Sequence, residues 1–379
     1  MKSIAIFHSM QLGDNFVQGG VQKVCLNLVA GFDSAGWDAA MLQHVDNAGI
    51  REQLEANDLR EIPIEFEVPT LNNDYGGLSY SQFIGKGLRL ARSIVRLRLQ
   101  SFEFDAIILN DVTSIFFNKA FRAKRKFLFL HTERFAGSRM AKLALSLWPT
   151  GDVTLICPTD ELMDLAAKLF PNNEIKKFFT PVFTSQPDLG RYLPKPALAP
   201  DQPIRLCYIG RISPIKNISA VLHMAADLSR ISKVVLDVFG SAFSEQQVPY
   251  EKAMHALGEE LNATHPNVKI AFKGRTDDPV ATFADYDYSI ILSDGEAIPL
   301  AGLESLSSGT PIIAWDAAGV NELVLDGISG VVVEQDKDAK RAKVTPEFLN
   351  RLVTFEPQVG PLTDLLSKFS IPGFVANFE

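Results

Sequence analysis

The 379-residue chain carries 37 Lys and Arg against 45 Asp and Glu, a formal net charge of −8, with 46% hydrophobic and 22% charged residues. This composition excludes a disordered, collagen-like or coiled-coil chain, and the acidic balance excludes a general nucleic-acid binder. Cys25, Cys157 and Cys207 are odd in number, far apart and without a CxxC pair, which excludes a disulfide scaffold or zinc ribbon and suits a reducing compartment.

The length predicts two domains. Charge is unevenly spread: residues 1–190 hold 20 basic and 21 acidic side chains, and the remainder holds 17 and 24. Residues 82–142 are locally basic, with 13 Lys and Arg against 4 Asp and Glu. Such a patch on an acidic protein points to a local anionic surface or ligand.

Met1–Met10 has one Lys and a short apolar run, which reads as a first strand and not as a signal segment. No apolar run of ~18 residues predicts a membrane-spanning helix. Strands are expected at Ser3–Phe7, Ala39–Leu42, Ala106–Leu109, Phe127–Leu130 and Val153–Cys157. Helical spacing covers Gln22–Ala35, Ser81–Gln100 and Thr159–Leu169. This is the βαβ rhythm of a parallel sheet covered on both faces. Pro194, Pro196, Pro200 and Pro203 then mark a linker.

After it the rhythm restarts. Strands are expected at Ile204–Ile209, Val234–Phe239, Val268–Phe272, Tyr288–Leu292, Pro311–Ala314 and Gly330–Val333, with helices at Ile218–Leu228, Pro249–Leu261 and Leu300–Leu306. A short helix at Leu362–Phe369 is expected to end at Ile371-Pro372-Gly373. The predicted architecture is two doubly wound, Rossmann-like α/β domains facing a cleft. Residues 1–193 are expected to form the first domain, 194–203 the linker, 204–360 the second domain, and 361–379 a tail that packs back on the first.

Three loops carry candidate chemistry. Gln18-Gly19-Gly20-Val21 opens the first helix, where a glycine pair lets backbone approach an anion; a plain turn reads equally well. Gly210-Arg211-Ile212-Ser213-Pro214-Ile215-Lys216 follows the first strand of the second half. Its guanidinium and ammonium suit a diphosphate, although in isolation they also read as solvated cations. Ser293-Asp294-Gly295-Glu296 leads into a helix whose Glu304 lies eight positions on, so two carboxylates approach the cleft mouth around a helix N-terminus.

These pieces, in this order and spacing, resemble the donor domain of family-4 retaining glycosyltransferases of the GT-B fold. The resemblance rests on Gly210-Arg211…Lys216, Gly240 after Leu236–Phe239, Ser293…Glu296…Glu304, Gly309-Thr310-Pro311, Gly319-Val320-Asn321-Glu322 and Asp326-Gly327…Gly330. It is good over residues 200–335 and thinner over 1–190, where Gly19-Gly20-Val21 carries it. The resemblance implies that Arg211 and Lys216 hold the diphosphate, Glu296 contacts the transferred sugar and Glu304 binds the ribose. It further implies that backbone at Ala297, Ile298, Pro299 and Leu300 completes the donor site, that Gly19 and Gly20 approach the diphosphate, and that His131 is the active-site histidine. Two departures bear on donor preference: Glu296-Ala297-Ile298 replaces the family's E-G-F, and Thr180-Pro181-Val182 replaces N-G-V.

The implied activity is transfer of a hexose from a nucleoside-diphosphate donor, UDP-sugar favoured over GDP-sugar, to a hydroxyl of a cell-surface glycan or glycolipid such as lipopolysaccharide or capsule. No cofactor is expected beyond the nucleotide sugar as co-substrate. No metal is expected either: Asp285-Tyr286-Asp287 matches D-x-D but precedes its strand at the wrong end for the cleft. Acceptor specificity falls to loops near Asn72–Gly77 and Phe135–Leu143. A cytoplasmic protein is expected, docking to the inner membrane face through Lys86, Arg89, Arg92 and Arg96, with Lys119, Arg122, Lys124, Arg125 and Lys126 close behind. A solvated helix face accounts for the same residues. Two other readings stay open: a sugar-nucleotide epimerase on the same fold, and a non-catalytic sugar-nucleotide-binding subunit.

Overall fold

The computed structural model describes residues 1–9, 20–66, 80–131, 148–183, 202–242 and 245–378. Gly19, linker residues 194–201, both acceptor loops and the Lys86 side chain lie outside this description. The chain divides into two units, Met1–Ser185 with Phe369–Glu379, and Gln186–Lys368.

The first unit runs β1 (Ser3–His8), α1 (Gly20–Ser34), β2 (Asp38–His44), α2 (Ala48–Ala56), β3 (Glu61–Ile64), α3 (Tyr80–Leu99), β4 (Glu103–Asn110), β5 (Arg122–Phe129), β6 (Val153–Cys157), α4 (Asp160–Leu169) and β7 (Ile175–Lys177). Its sheet has the order β3-β2-β1-β4-β5-β6-β7, with every pairing parallel. Ile4, Ala5, Ile6 and Phe7 are wholly buried, as a strand covered on both faces requires. Burying side chains of the Ile and Phe kind stabilises by about 1.5–3 kcal/mol each.

The second unit runs β8 (Ile204–Ile209), α5 (Ile218–Leu228), β9 (Val234–Phe239), α6 (Val248–Thr264), β10 (Val268–Gly274), α7 (Pro279–Ala284), β11 (Tyr288–Ile291), α8 (Leu300–Ser307), β12 (Ile312–Ala314) and β13 (Gly330–Val332). A small hairpin of β14 (Gln335–Asp336) and β15 (Arg341–Ala342) follows, then α9 (Pro346–Val353) and α10 (Val359–Ser367). Its sheet order is β10-β9-β8-β11-β12-β13, again parallel. In each sheet the chain reverses its direction of winding beside the first strand, between β1 and β4 and between β8 and β11. Ligands of doubly wound folds gather at the carboxyl ends of such strands.

The tail differs from expectation. α10 belongs to the second unit, whereas Phe369 onward belongs to the first. Ile371-Pro372-Gly373 does not end a helix but begins α11 (Ile371–Ala376). Pro is tolerated in a first turn because the N–H it lacks has no partner there. The Ser370 hydroxyl caps that turn by accepting from the Gly373 amide at 3.2 Å. α11 joins the first core, where Phe378 meets Phe32 at 5.2 Å and Phe127 at 4.6 Å between ring centroids.

The basic stretch is also reshaped. The β4–β5 register sets Glu103 opposite Arg122, and the two pair at 3.1 Å. Lys124 pairs with Asp105 at 2.7 Å, and Lys119 and Lys126 share Asp152 at 2.8 and 3.0 Å. Arg125 donates to the Phe378 carbonyl at 2.6 Å. The β5 cations are therefore neutralised or used within the first unit. On α3, Arg89, Arg92 and Arg96 are exposed beside Leu88, Val95 and Leu99, and Arg96 pairs with Glu65. Among the described residues, no helix is long and apolar enough to cross a membrane.

Candidate functional site

In the second unit the site grows from two loops at the carboxyl ends of adjacent strands. β8 runs into Gly210, Arg211 and a single 3₁₀ turn, Pro214–Lys216, before α5. Asn217 joins the two in the left-handed region, at φ +49°. The Tyr208 hydroxyl, on a buried ring of β8, donates to the Arg211 carbonyl at 2.9 Å and fixes the start of the loop. Burial pushes the Tyr208 hydroxyl well above its ordinary range, so it stays a donor.

The second loop follows β11. The Asp294 amide donates to the Ile215 carbonyl at 3.1 Å, and Asn217 Nδ2 donates to Asp294 Oδ1 at 2.6 Å. Trp315 Nε1 holds the Ser293 carbonyl at 2.8 Å. These ties bring Lys216 and Glu296, 80 positions apart in sequence, into an ion pair with both side chains largely buried at 18% and 16% exposure. The predicted diphosphate cation and the predicted sugar carboxylate are therefore direct partners.

Two glycines are required by this construction. Gly240, at φ +136°, lies so close to the Gly210 carbonyl that a Cβ would stand 1.8 Å from it. Gly319, at φ +72°, lies under the Glu296–Ala297 backbone, where a Cβ would meet the Glu296 oxygen at 1.9 Å and the Ala297 oxygen at 2.2 Å. Any other residue would push the Glu296 loop away. Ala297 is thus set against Gly319, Ile298 is buried, Pro299 occupies the N-cap of α8, and Leu300 begins that helix. Glu304 is buried on α8 and interacts with neighbours. Arg211 also interacts with its surroundings, including electrostatically with Tyr208.

A cavity of about 650 Å³ flanks the outer side of the Pro214–Asn217 loop, bounded by Ile215, Tyr250, Asp294 and Arg341. It contains neither Lys216 nor Glu296, so it lies beside the predicted chemistry. Asp287 of the D-x-D segment accepts from the Arg205 amide at 2.7 Å, a strand-pairing role. Among the described residues, no three His, Cys, Asp or Glu side chains gather as metal ligands.

In the first unit a buried polar cluster lies where β1, β4 and β5 end. His8 is wholly buried; its Nε2 faces Gln22 Nε2 at 3.4 Å, and among the described residues its Nδ1 has no partner. Asn110 ends β4, with Nδ2 toward Cys25 Sγ at 2.6 Å and Oδ1 toward His131 Nε2 at 2.5 Å. The Phe129 ring lies 4.3 Å from that of His131. Burial lowers His8 to about 4, and burial with the charge of His8 lowers His131 to about 3, so both rings are neutral at pH 7. Next along the chain, Asp111 holds φ +80° and accepts from the Thr113 amide at 2.6 Å and the Ser9 hydroxyl at 3.2 Å. Burial raises its carboxyl, opposed by these donors. Gly20 is the first residue of α1.

The motif reading did not include Tyr208, Asn110 or His8. Asn110 carried one signal, a polar residue closing the apolar run Ala106–Leu109. His8 and Tyr208 belong to runs that read simply as strand.

The poly(glycerol-phosphate) alpha-glucosyltransferase of Bacillus subtilis (strain 168) is 26% identical over 229 residues, which are 60% of this chain and 32% of that protein. The chain covers about a third of the length of the first curated relatives it matches. Anabaena HepE, crystallised with UDP and glucose, superposes with a TM-score of 0.67 at 16% identity, covering 100% of this chain and 99% of that one. The lipopolysaccharide outer core galactosyltransferase WaaB does so with a TM-score of 0.67 at 17% identity, covering 100% and 98%. At these identities the likeness establishes the fold: two parallel-sheet α/β domains of the GT-B type. Residues 193–350, which hold the Lys216–Glu296 pair and Gly319, match the family model described as Glycosyl transferases group 1. The family match lies within the second unit, and the superpositions extend the likeness of fold over the whole chain.

Proposed function

We propose that the chain is a family-4 retaining glycosyltransferase that moves a hexose from a nucleoside-diphosphate sugar to a hydroxyl of a cell-surface glycan or glycolipid. The observation that carries this reading is the partly buried Lys216–Glu296 pair at the ends of β8 and β11. An anionic donor meeting that pair gains the ammonium for its diphosphate, while the carboxylate becomes an acceptor for sugar hydroxyls. UDP-sugar is favoured, in keeping with the UDP and glucose in the Anabaena structure and the glucosyltransferase name of the Bacillus relative.

In the proposed reaction an acceptor hydroxyl oxygen bonds to the anomeric carbon on the face from which the diphosphate departs. The C–O bond to the diphosphate breaks with its electron pair going to the phosphate oxygen. The acceptor proton passes to that same phosphate group, so no protein base is needed. Lys216 and Arg211 stabilise the charge growing on the leaving group, the type of contribution that is commonly worth about 10²–10³ in turnover. Glu296 and the α8 N-terminus hold the sugar, Glu304 the ribose, and Gly240 lets backbone approach the nucleotide.

Nucleotide release from UDP-glucose, UDP-galactose, UDP-N-acetylglucosamine and GDP-mannose, each offered with glycan and lipid-linked acceptors, tests the reading. Acceptor-dependent release with the anomeric configuration kept is the expected result. Interconversion of the donor sugar without acceptor would identify an epimerase, and binding with neither transfer nor hydrolysis would identify a binding subunit.

A further inference from the structure

We infer that Asn110 is the positioning residue of His131: its side-chain amide holds the imidazole with the proton on Nε2 and leaves Nδ1 as the ring's hydrogen-bond acceptor. The inference rests on the reading of His131 as a site residue, but its evidence is separate.

β4 is apolar through Ala106, Ile107, Ile108 and Leu109, all wholly buried, and then ends in an equally buried Asn110. A buried amide must satisfy both its ends. Here Nδ2 meets Cys25 Sγ at 2.6 Å and Oδ1 meets His131 Nε2 at 2.5 Å. The sulfur, carried by α1, accepts from the amide N–H₂. The carbonyl oxygen, the better acceptor, then faces the ring and can only be met there by an N–H. An amide turned over would spend that oxygen on a thiol and offer N–H₂ to Nε2, which would force the proton onto Nδ1.

The charged and titratable groups around the ring favour a neutral imidazole. Burial disfavours a charged ring, and protonation of His8 on β1 would oppose it further. Asp111 directs its carboxylate to Thr113, Ser114 and Ser9. Cys25 is held as a thiol by burial. Phe129, at 4.3 Å, offers an apolar ring. The result is an uncharged His131 suited to accepting from a hydroxyl, unlike the cationic Lys216 suited to a diphosphate.

The test is nitrogen-15 NMR of the full chain labelled at histidine, with the His131 ring assigned by loss of its signals in His131→Gln. The wild-type ring is expected to show Nε2 protonated and Nδ1 bare, with no titration between pH 5 and 8. Asn110→Asp replaces the amide with a carboxylate that accepts the same N–H, and it should raise the ring's titration by about 3 pH units, into the measured range. A ring protonated on Nδ1, a wild-type titration near pH 6.5, or an Asn110→Asp spectrum that titrates as the wild type does would overturn the inference. The wild-type spectrum decides the tautomer alone, so the test survives a variant that fails to fold. Absence of glycosyl transfer would sink the proposed function and leave this spectrum unchanged.

Discussion

The two units have the same parallel winding yet build opposite chemistry at their switch points. Beside β8 and β11 the side chains are ionic: Lys216 against Glu296, with Arg211 and Asp294 in the same two loops. Beside β1, β4 and β5 amide and imidazole side chains dominate: buried His8, Gln22 and Asn110 and half-buried His131, with Asn110 between Cys25 and His131 and the Asp111 carboxylate turned to Thr113 and Ser9. One doubly wound plan therefore carries an ion pair at one switch point and an amide–imidazole contact at the other. The topology chooses where a ligand binds, and the few residues just past the strand ends choose what it is.

The contrast can be broken most sharply at Lys216. Lys216→Ala should lower turnover about 10²–10³-fold, about 3–4 kcal/mol of transition-state stabilisation, measured as nucleotide release at saturating donor. The same change leaves Glu296 without its partner, at a stability cost of up to about 3 kcal/mol, whereas Lys216→Met with Glu296→Leu should be close to neutral in chemical denaturation. A double variant weaker than the single would show that the pair is not an ionic unit. Gly319→Ala comes next. Its Cβ would meet the Glu296 and Ala297 oxygens, so the loop must move, at about 3 kcal/mol and with loss of donor binding. Gly327→Ala shares a positive φ, +74°, but meets nothing within 4 Å, so it should cost only about 1 kcal/mol and spare binding.

The neutral cluster is tested by acid. His8 and His131 are lowered to about 4 and about 3 in the folded chain, against about 6.5 when unfolded. Above pH 6.5 neither state is protonated at these rings, and they add no pH dependence. Below it the unfolded chain binds protons that the folded chain refuses. Stability should fall by about 1.4 kcal/mol per pH unit for each ring until the folded value is reached. His8→Gln should flatten the fall of melting temperature between pH 6 and 4.5; an unchanged slope would mean the ring is not desolvated. The smallest effect expected is at α3, where Leu88, Val95 and Leu99 are 58%, 59% and 79% exposed around Arg92. If this face meets an anionic bilayer, Arg92→Glu should weaken co-sedimentation with phosphatidylglycerol vesicles by about 1–2 kcal/mol. Equal sedimentation of both forms would return α3 to a solvated face.

Much of the second unit was legible because its chemistry is local in sequence. Gly210, Arg211 and Lys216 fall within one strand-to-helix loop, and Glu296 and Glu304 flank one helix start. Gly319 was visible as a motif glycine, and its reason, contact with the Glu296 loop, required the fold. The Lys216–Glu296 pair joins residues 80 positions apart and has no signature in either segment. The pairing of the β5 cations was hidden for the same reason: Glu103, Asp105 and Asp152 come from neighbouring segments brought alongside by sheet register. Pro372 misled because proline both ends and begins helices, and only the Ser370 cap distinguishes the two.

The most direct test of the central claim is thermal unfolding with UDP, GDP, ADP and their sugars, on the wild type and on Lys216→Ala. A nucleotide at ~100 times its dissociation constant adds about 2.7 kcal/mol to stability, a clear upward shift in melting temperature. The account predicts that UDP or a UDP-sugar raises the wild-type midpoint and that Lys216→Ala loses most of the rise. A rise that Lys216→Ala keeps in full, or no rise with any nucleotide, would contradict the placing of the donor site at the Lys216–Glu296 pair.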